Sequence, residues 1–165
     1  MRLQPDIFAK SAFARRRFAT RASAGKPAAN MPTNFPPKFI GRVQSGQNDA
    51  SKWLALFNDD YSRKTGMRIF PGSLNLGIDQ DFDWFAPELE AGLIRFNKAE
   101  YSGERDILLL PCRLSNLGGR RGFIWATTNA ARDPTDRRVL EVITDVKLRD
   151  VCRLVDGDLV EVQLT

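Results

Sequence analysis

Residues 139–165 read Val139-Leu140-Glu141-Val142-Ile143-Thr144-Asp145-Val146-Lys147-Leu148-Arg149-Asp150-Val151-Cys152-Arg153-Leu154-Val155-Asp156-Gly157-Asp158-Leu159-Val160-Glu161-Val162-Gln163-Leu164-Thr165. Apolar and polar side chains alternate from Leu159 to Leu164, the period of a strand with one buried face. Arg138–Thr144 alternates as well. Val155-Asp156-Gly157-Asp158 is a turn, with glycine between two acids that favour turns. Val146–Arg153 has room only for a short helix or turn. Two short strands joined in this way belong to an all-β architecture rather than to a parallel sheet with long crossover helices.

The rest of the chain extends the pattern. Lys38-Phe39-Ile40-Gly41-Arg42-Val43 reads as a strand, with Gly41 marking a bulge or a close approach. Arg68-Ile69-Phe70-Pro71-Gly72-Ser73-Leu74-Asn75-Leu76 is a strand approach, a Pro-Gly turn and a second strand. Residues 79–92 are acidic and irregular. Asp106–Leu114 is an apolar strand in which Pro111 predicts an edge or a bulge. Asn116–Gly122 is a basic, glycine-rich turn, Gly122–Thr127 a strand, and residues 128–137 a polar loop. One strong helical signal interrupts the strands. After an N-cap at Asn48 or Asp49, a helix to about Lys64 aligns Trp53, Leu56, Phe57 and Tyr61, with Gly66 as its left-handed end. About six short strands with one or two helices predict a small β-barrel with inserted helices.

Composition narrows the chemistry. The chain has 165 residues, 42% hydrophobic and 27% charged, the make-up of an ordinary globular domain. It contains no histidine, which removes histidine-dependent triads, dyads and zinc sites. Cys112 and Cys152 are far apart in sequence and form no CxxC, so two reduced thiols are expected rather than a disulfide or metal site. No apolar run is long enough for a membrane span. The net charge of +5 is uneven. Arg2, Lys10, Arg15, Arg16, Arg17, Arg21, Lys26 and Lys38 face only Asp6 within residues 1–38, whereas residues 39–165 are slightly acidic. The basicity therefore sits in a leader, and the domain that follows is not expected to bind nucleic acid. Residues 1–38 are expected to be a mobile leader, and 39–165 a single barrel domain. The leader has the composition of an organellar transit peptide, with Asp6 against that reading, or is an upstream extension ahead of Met31. The expected compartment is the cytoplasm, or an organelle if residues 1–30 are a transit peptide.

Several residues could carry chemistry. Ser73 and Asn75 lie two apart, so on a strand both face one side. A hydroxyl and an amide oxygen can form part of a Mg2+ shell, although spacing alone favours a turn in which both satisfy backbone groups. Ser45-Gly46-Gln47-Asn48-Asp49 joins a strand to a helix start and suits either an anion or an ordinary cap. Glu141 is the sole charge in an apolar strand and faces a cavity or solvent; in a cavity it could accept a hydroxyl proton. Lys147 and Arg149 could clamp a phosphate or form a solvated pair.

Four motifs in order resemble the archaeal CTP-dependent riboflavin kinases. Gly41-Arg42-Val43-Gln44-Ser45-Gly46 is similar to their opening G-K/R-V-x-S-G. Ile69-Phe70-Pro71-Gly72-Ser73-Leu74-Asn75-Leu76 resembles the PGTLN segment. Leu140 to Arg149 resembles the segment EIIAP…LR, and Leu154 to Val160 the L-x-DGD-x-V that follows. The resemblance spans residues 39–165. It implies a mainly β fold, a six-stranded cradle-loop barrel with one or two inserted helices. It also implies an enzyme that transfers the γ-phosphoryl group of CTP to the 5′-hydroxyl of riboflavin, giving FMN, with Mg2+ assistance. On this resemblance Ser73 and Asn75 hold the metal. Glu141 is the catalytic residue and contacts the flavin's ribityl end. Val146, Lys147, Leu148 and Arg149 line the nucleotide, together with the loop Gly46, Gln47, Asn48, Asp49, Ala50 and Ser51. That loop departs from the family's G-x-G-E-G by losing two glycines, and Thr144-Asp145 replaces Ala-Pro. The partners implied are small molecules, for a monomer or weak oligomer. The alternatives are a non-catalytic nucleotide- or flavin-binding barrel with the same fold, and a basic-armed interaction module.

Overall fold

A computed structural model describes residues 38–46, 50–128 and 137–165. Its elements run β1 (Lys38–Gln44), α1 (Ala50–Leu56), α2 (Asn58–Thr65), β2 (Leu74–Gly77), a 3-10 turn (Pro87–Leu89), β3 (Ile94–Phe96), α3 (Lys98–Tyr101), β4 (Asp106–Leu114), β5 (Arg120–Thr128), β6 (Val139–Ile143), α4 (Leu148–Val151) and β7 (Leu159–Leu164). Expectations for residues 1–37, for the Asn48 or Asp49 cap and for the loop 129–136 lie outside the described residues.

The strands pair in the order β3-β4-β5-β6-β2-β1-β7, all antiparallel, and β7 also pairs with β4. That last pairing closes six strands into a barrel and leaves β3 as a short strand on its side. The barrel expected from sequence is thus the fold. Closure removes the exposed edges that so many short strands would otherwise present. Alternate residues fill the interior: Leu74 and Leu76 of β2, Leu140 and Val142 of β6, Val160, Val162 and Leu164 of β7, with Leu108, Leu110, Cys112 and Leu114 of β4. Gly41 lies on β1 beside its antiparallel neighbour β2, and a Cβ there would come within 2.7 Å of the Leu76 side chain.

Pro111 occupies neither an edge nor a bulge. The β4–β5 register runs without a break from Asp106↔Thr128 to Leu114↔Arg120. On its other side β4 pairs with β3 through Leu109 and with β7 from Cys112. The Pro111 carbonyl accepts from Thr165 N at 3.1 Å. Its nitrogen therefore points to that same side, into the gap where β3 gives way to β7, and the missing N–H costs no ladder bond.

The helical stripe is also corrected. The helix expected to run to Lys64 is two helices broken at Phe57, and the buried residues are Leu54 and Tyr61, followed by Thr65. Leu54 is fully buried whereas Leu56 is 63% exposed; Trp53 and Phe57 are half-buried and stacked on each other. Asn58 explains the break. Its side-chain amide donates to Leu54 O at 3.3 Å and to Ile69 O at 2.6 Å, tying the hairpin to the segment that leads into β2. Gly66 ends α2 in the left-handed region (φ 66°), its N–H donating to Ser62 O. Leu54, Tyr61 and Tyr101 pack with Ile107, Leu109, Phe123, Trp125 and Ile143 over the outer face of β4, β5 and β6. Among the described residues no helix is long and apolar enough to cross a membrane.

Candidate active site

One row of directly opposed residues crosses the outside of the barrel: Ile94, Leu109, Trp125, Glu141, Asn75, Gln44. Directly opposed residues share a face, so all six side chains project outward. The first three are apolar and lie under or beside the helices. The last three are polar and line an open cleft of about 820 Å³. The change in polarity along the row marks where the helical cover stops and the site begins.

Glu141 sits at that boundary. Trp125 opposes it across β5 and β6, and the indole Nε1 donates to the Tyr61 hydroxyl at 2.9 Å. Ser73, just before β2, donates its hydroxyl to Glu141 Oε2 at 2.7 Å. Burial pushes the Glu141 carboxyl above the usual carboxylate range, and the Ser73 hydroxyl offsets this in part. Asn75 lies opposite both Glu141 and Gln44. A Cβ on Gly46 would fall 2.3 Å from the Asn75 amide nitrogen, so this glycine lets the loop after β1 lie directly on Asn75.

Another part of the cleft comes from the segment after β6. Thr144, buried at the end of that strand, donates its hydroxyl to Val146 O at 2.8 Å, and its own carbonyl accepts from Phe70 N at 2.8 Å. These bonds hold the start of this segment beside the Phe70-Pro71-Gly72 stretch, and Val146, Lys147, Leu148 and Arg149 line the cleft together with Pro71, Gly72 and Ser73. Arg149 Nη2 donates to Gln44 O at 3.0 Å and to Asp156 Oδ1 at 2.6 Å. Lys147 pairs with Asp150 at 3.0 Å.

The cleft thus gathers Ser73, Asn75 and Glu141, the segment Val146–Arg149, and Gly46, Ala50 and Ser51 from the loop. Gln47, Asn48 and Asp49 lie outside the described residues. Sequence reading missed Gln44, Arg105, Trp84 and Trp125, which also line it. Trp125 and Gln44 could be found only through strand register, and Arg105 follows α3 in a stretch with no signal of its own.

The donor set suits a hard cation. A serine hydroxyl and an asparagine amide flank a carboxylate, all oxygen ligands of the kind Mg2+ takes. Among the described residues no three histidines, cysteines or acids gather to form a metal cage. An ion on Ser73 and Asn75 would draw its other ligands from water and phosphate, as Mg2+ commonly does.

A family model named for CTP-dependent riboflavin kinases, and described as a domain of unknown function (DUF120), matches residues 43–164. Riboflavin kinase of Aeropyrum pernix is 31% identical over 129 residues, 76% of this chain and 94% of that protein. Riboflavin kinase of Staphylothermus marinus is 28% identical over 128 residues, covering 78% of this chain and 92% of the relative. In the longer Archaeoglobus fulgidus riboflavin kinase, 32% identical over 132 residues, the match spans 54% of the protein. The family model covers most of the chain and a relative is 31% identical along nearly its whole length, so the chain, a barrel as that family implies, belongs to the CTP-dependent riboflavin kinase family.

Proposed function

We propose that this chain transfers the γ-phosphoryl group of CTP to the 5′-hydroxyl of riboflavin, with Mg2+ on Ser73 and Asn75, giving FMN and CDP. The reading is carried by one observation: Ser73, Asn75 and Glu141 converge through a 2.7 Å hydrogen bond and direct strand register in a cleft that Val146–Arg149 also line. Ser73 and Asn75 would hold the metal, which when bound would supply neutralisation of phosphate charge. Glu141 binds the ribityl end and accepts the proton of the attacking hydroxyl. That oxygen forms a bond to the γ-phosphorus as the bond to the β–γ bridging oxygen breaks, and CDP leaves with that oxygen. A buried carboxylate with a raised pKa is a stronger base toward an alcohol than an exposed one. Val146–Arg149, with Gly46, Gln47, Asn48, Asp49, Ala50 and Ser51, hold the nucleotide. Phosphoryl transfer depends on positioning and charge neutralisation, so a chain without histidine suffices.

The experiment is FMN formation from riboflavin, followed chromatographically with CTP, ATP and GTP in turn, with and without Mg2+. CTP with Mg2+ is expected to support turnover, and the other nucleotides to support it poorly. Binding of riboflavin and CTP without any FMN would instead identify a non-catalytic barrel.

A further inference from the structure

The two acids of the Asp156-Gly157-Asp158 turn do different work. Asp158 folds the turn on itself, its carboxylate accepting from Val155 N at 2.8 Å. Asp156 reaches away from the turn. One of its oxygens accepts the Ser45 hydroxyl at 2.7 Å and the other accepts Arg149 Nη2 at 2.6 Å. Ser45 follows β1, whereas Arg149 belongs to the segment after β6; both line the cleft. Asp156 therefore joins Ser45 to Arg149, 104 residues apart in sequence, beside the direct bond from Arg149 to Gln44 O. The turn that carries it is itself strapped to β1. Gly157 N donates to Val43 O at 2.8 Å, Val43 N donates to Asp158 O at 2.8 Å, and Arg42 Nη1 donates to Gly157 O at 2.9 Å.

We infer that Asp156 is a positioning residue for the donor nucleotide: it holds Ser45, just after β1, and Arg149, after β6, so that both face the same ligand. This rests on the functional reading above and deepens it. Arg149 uses the same nitrogen, Nη2, for Asp156 and for Gln44 O. The guanidinium is thereby held at one corner, with the rest of its planar fork left for a phosphate or base.

Geometry and charge make opposite demands, and this decides the test. Asp156 is an exposed acid beside a cationic wall, and its bonds to Ser45 and Arg149 hold its carboxyl below the usual range. If its only effect were to neutralise Arg149, removing the charge would strengthen the attraction for a polyphosphate. If it positions Arg149 and Ser45, removing it weakens binding although the site becomes more positive. Exposed ion pairs contribute little to stability, so neither outcome should be obscured by unfolding.

The measurement is the Kd of CTP with Mg2+ by titration calorimetry, together with KM for CTP and for riboflavin, in full-length wild type, Asp156→Asn, Ser45→Ala and Asp158→Asn. Asp156→Asn is expected to raise the Kd and KM for CTP about tenfold, in line with the sensitivity of bound reactants to misplacement, and to leave the riboflavin KM within about twofold. Ser45→Ala should shift the same constants in the same direction by less. Asp158→Asn should lower the melting temperature and leave the CTP constants unchanged. If Asp156→Asn binds CTP as tightly as wild type or more tightly, or if Asp158→Asn changes CTP binding equally, the inference is overturned and the functional reading stands. A wild-type protein that neither binds CTP nor makes FMN overturns both.

Discussion

Glu141 bears a cost that its position explains. A carboxylate beside Trp125 loses hydration, so its pKa lies above the ordinary glutamate value. The ionised form is therefore disfavoured in the fold, and the stability this group contributes is complete below its unfolded pKa and lost as pH rises through the raised folded pKa. Glu141→Gln should accordingly melt above wild type at pH 7, with the gap closing as pH falls through the carboxylate range. A gap that stays constant with pH, or a variant less stable at pH 7, would show that the burial costs nothing. The same variant should lose turnover while still binding CTP. Asn75 tests the neighbouring role. Asn75→Ala should abolish Mg2+-dependent CTP binding and change fold stability by only about 0.5 kcal/mol, the usual scale for a polar residue outside the core. Ser73→Thr, which keeps the hydroxyl, should retain binding. Gly46→Ala places a methyl group 2.3 Å from the Asn75 amide nitrogen and 3.2 Å from its oxygen, and should reproduce the Asn75 defect in milder form by displacing that amide. Calorimetry with CTP, with and without Mg2+, reads all three. If Asn75→Ala destabilises the protein and binds CTP normally, Ser73 and Asn75 are turn residues. At this scale the sequence was informative where chemistry stands out, as with a lone acid in an apolar strand. It was silent on Trp125 and Gln44, because their place beside Glu141 and Asn75 depends on which strands pair.

Short elements are read correctly when their period is unambiguous and misread when two phases compete. β7 alternates strictly between interior and exterior, as its sequence predicts. The helical hairpin offers two stripes. Trp53, Leu56, Phe57 and Tyr61 form one, and Leu54, Phe57 and Tyr61 another. The break at Phe57, stabilised by the Asn58 amide on Ile69 O, selects the second. This choice is long-range, since Ile69 lies beyond the helices, and local periodicity does not contain it. Its consequence is measurable by denaturant unfolding. Leu54→Ala should cost about 2–5 kcal/mol, the range for a fully buried leucine. Leu56→Ala should cost about 0.5 kcal/mol or less, as a surface change does. A larger loss at Leu56 than at Leu54 would place the helix in the phase first read from sequence. The hairpin's burial also bears on function, because Tyr61 is the residue that holds the Trp125 indole beside Glu141.

Across the whole molecule, the barrel depends on one closing seam, β4 against β7, where Cys112, Arg113 and Leu114 face Leu164, Gln163 and Val162. Strand count and turn spacing indicate a barrel from sequence, but which strands meet at the seam does not follow from them. Pro111 shows why: read locally it marks an edge, yet it sits at the point where β4 exchanges β3 for β7. Cys112 gives the seam a chemical probe. Its thiol is buried in the barrel interior, and burial pushes its pKa up to about 12. Thiolate is the reactive form, so Cys112 combines poor access with a negligible thiolate fraction near neutral pH. Cys152, at the end of α4, is half-buried, and both cysteines are free. A small alkylating reagent at pH 8 should therefore label Cys152 readily. Cys112 should be labelled only as fast as the barrel opens globally, with an opening free energy equal to that from denaturant unfolding. Mass spectrometry of the Cys152→Ser variant isolates the slow site. CTP with Mg2+ should slow it further if the ligand binds only the closed barrel, because mass action adds the binding free energy to the cost of opening. If Cys112 is alkylated much faster than unfolding permits, the β4–β7 seam separates locally. Closure would then be a motion of the native state rather than a property lost only on unfolding.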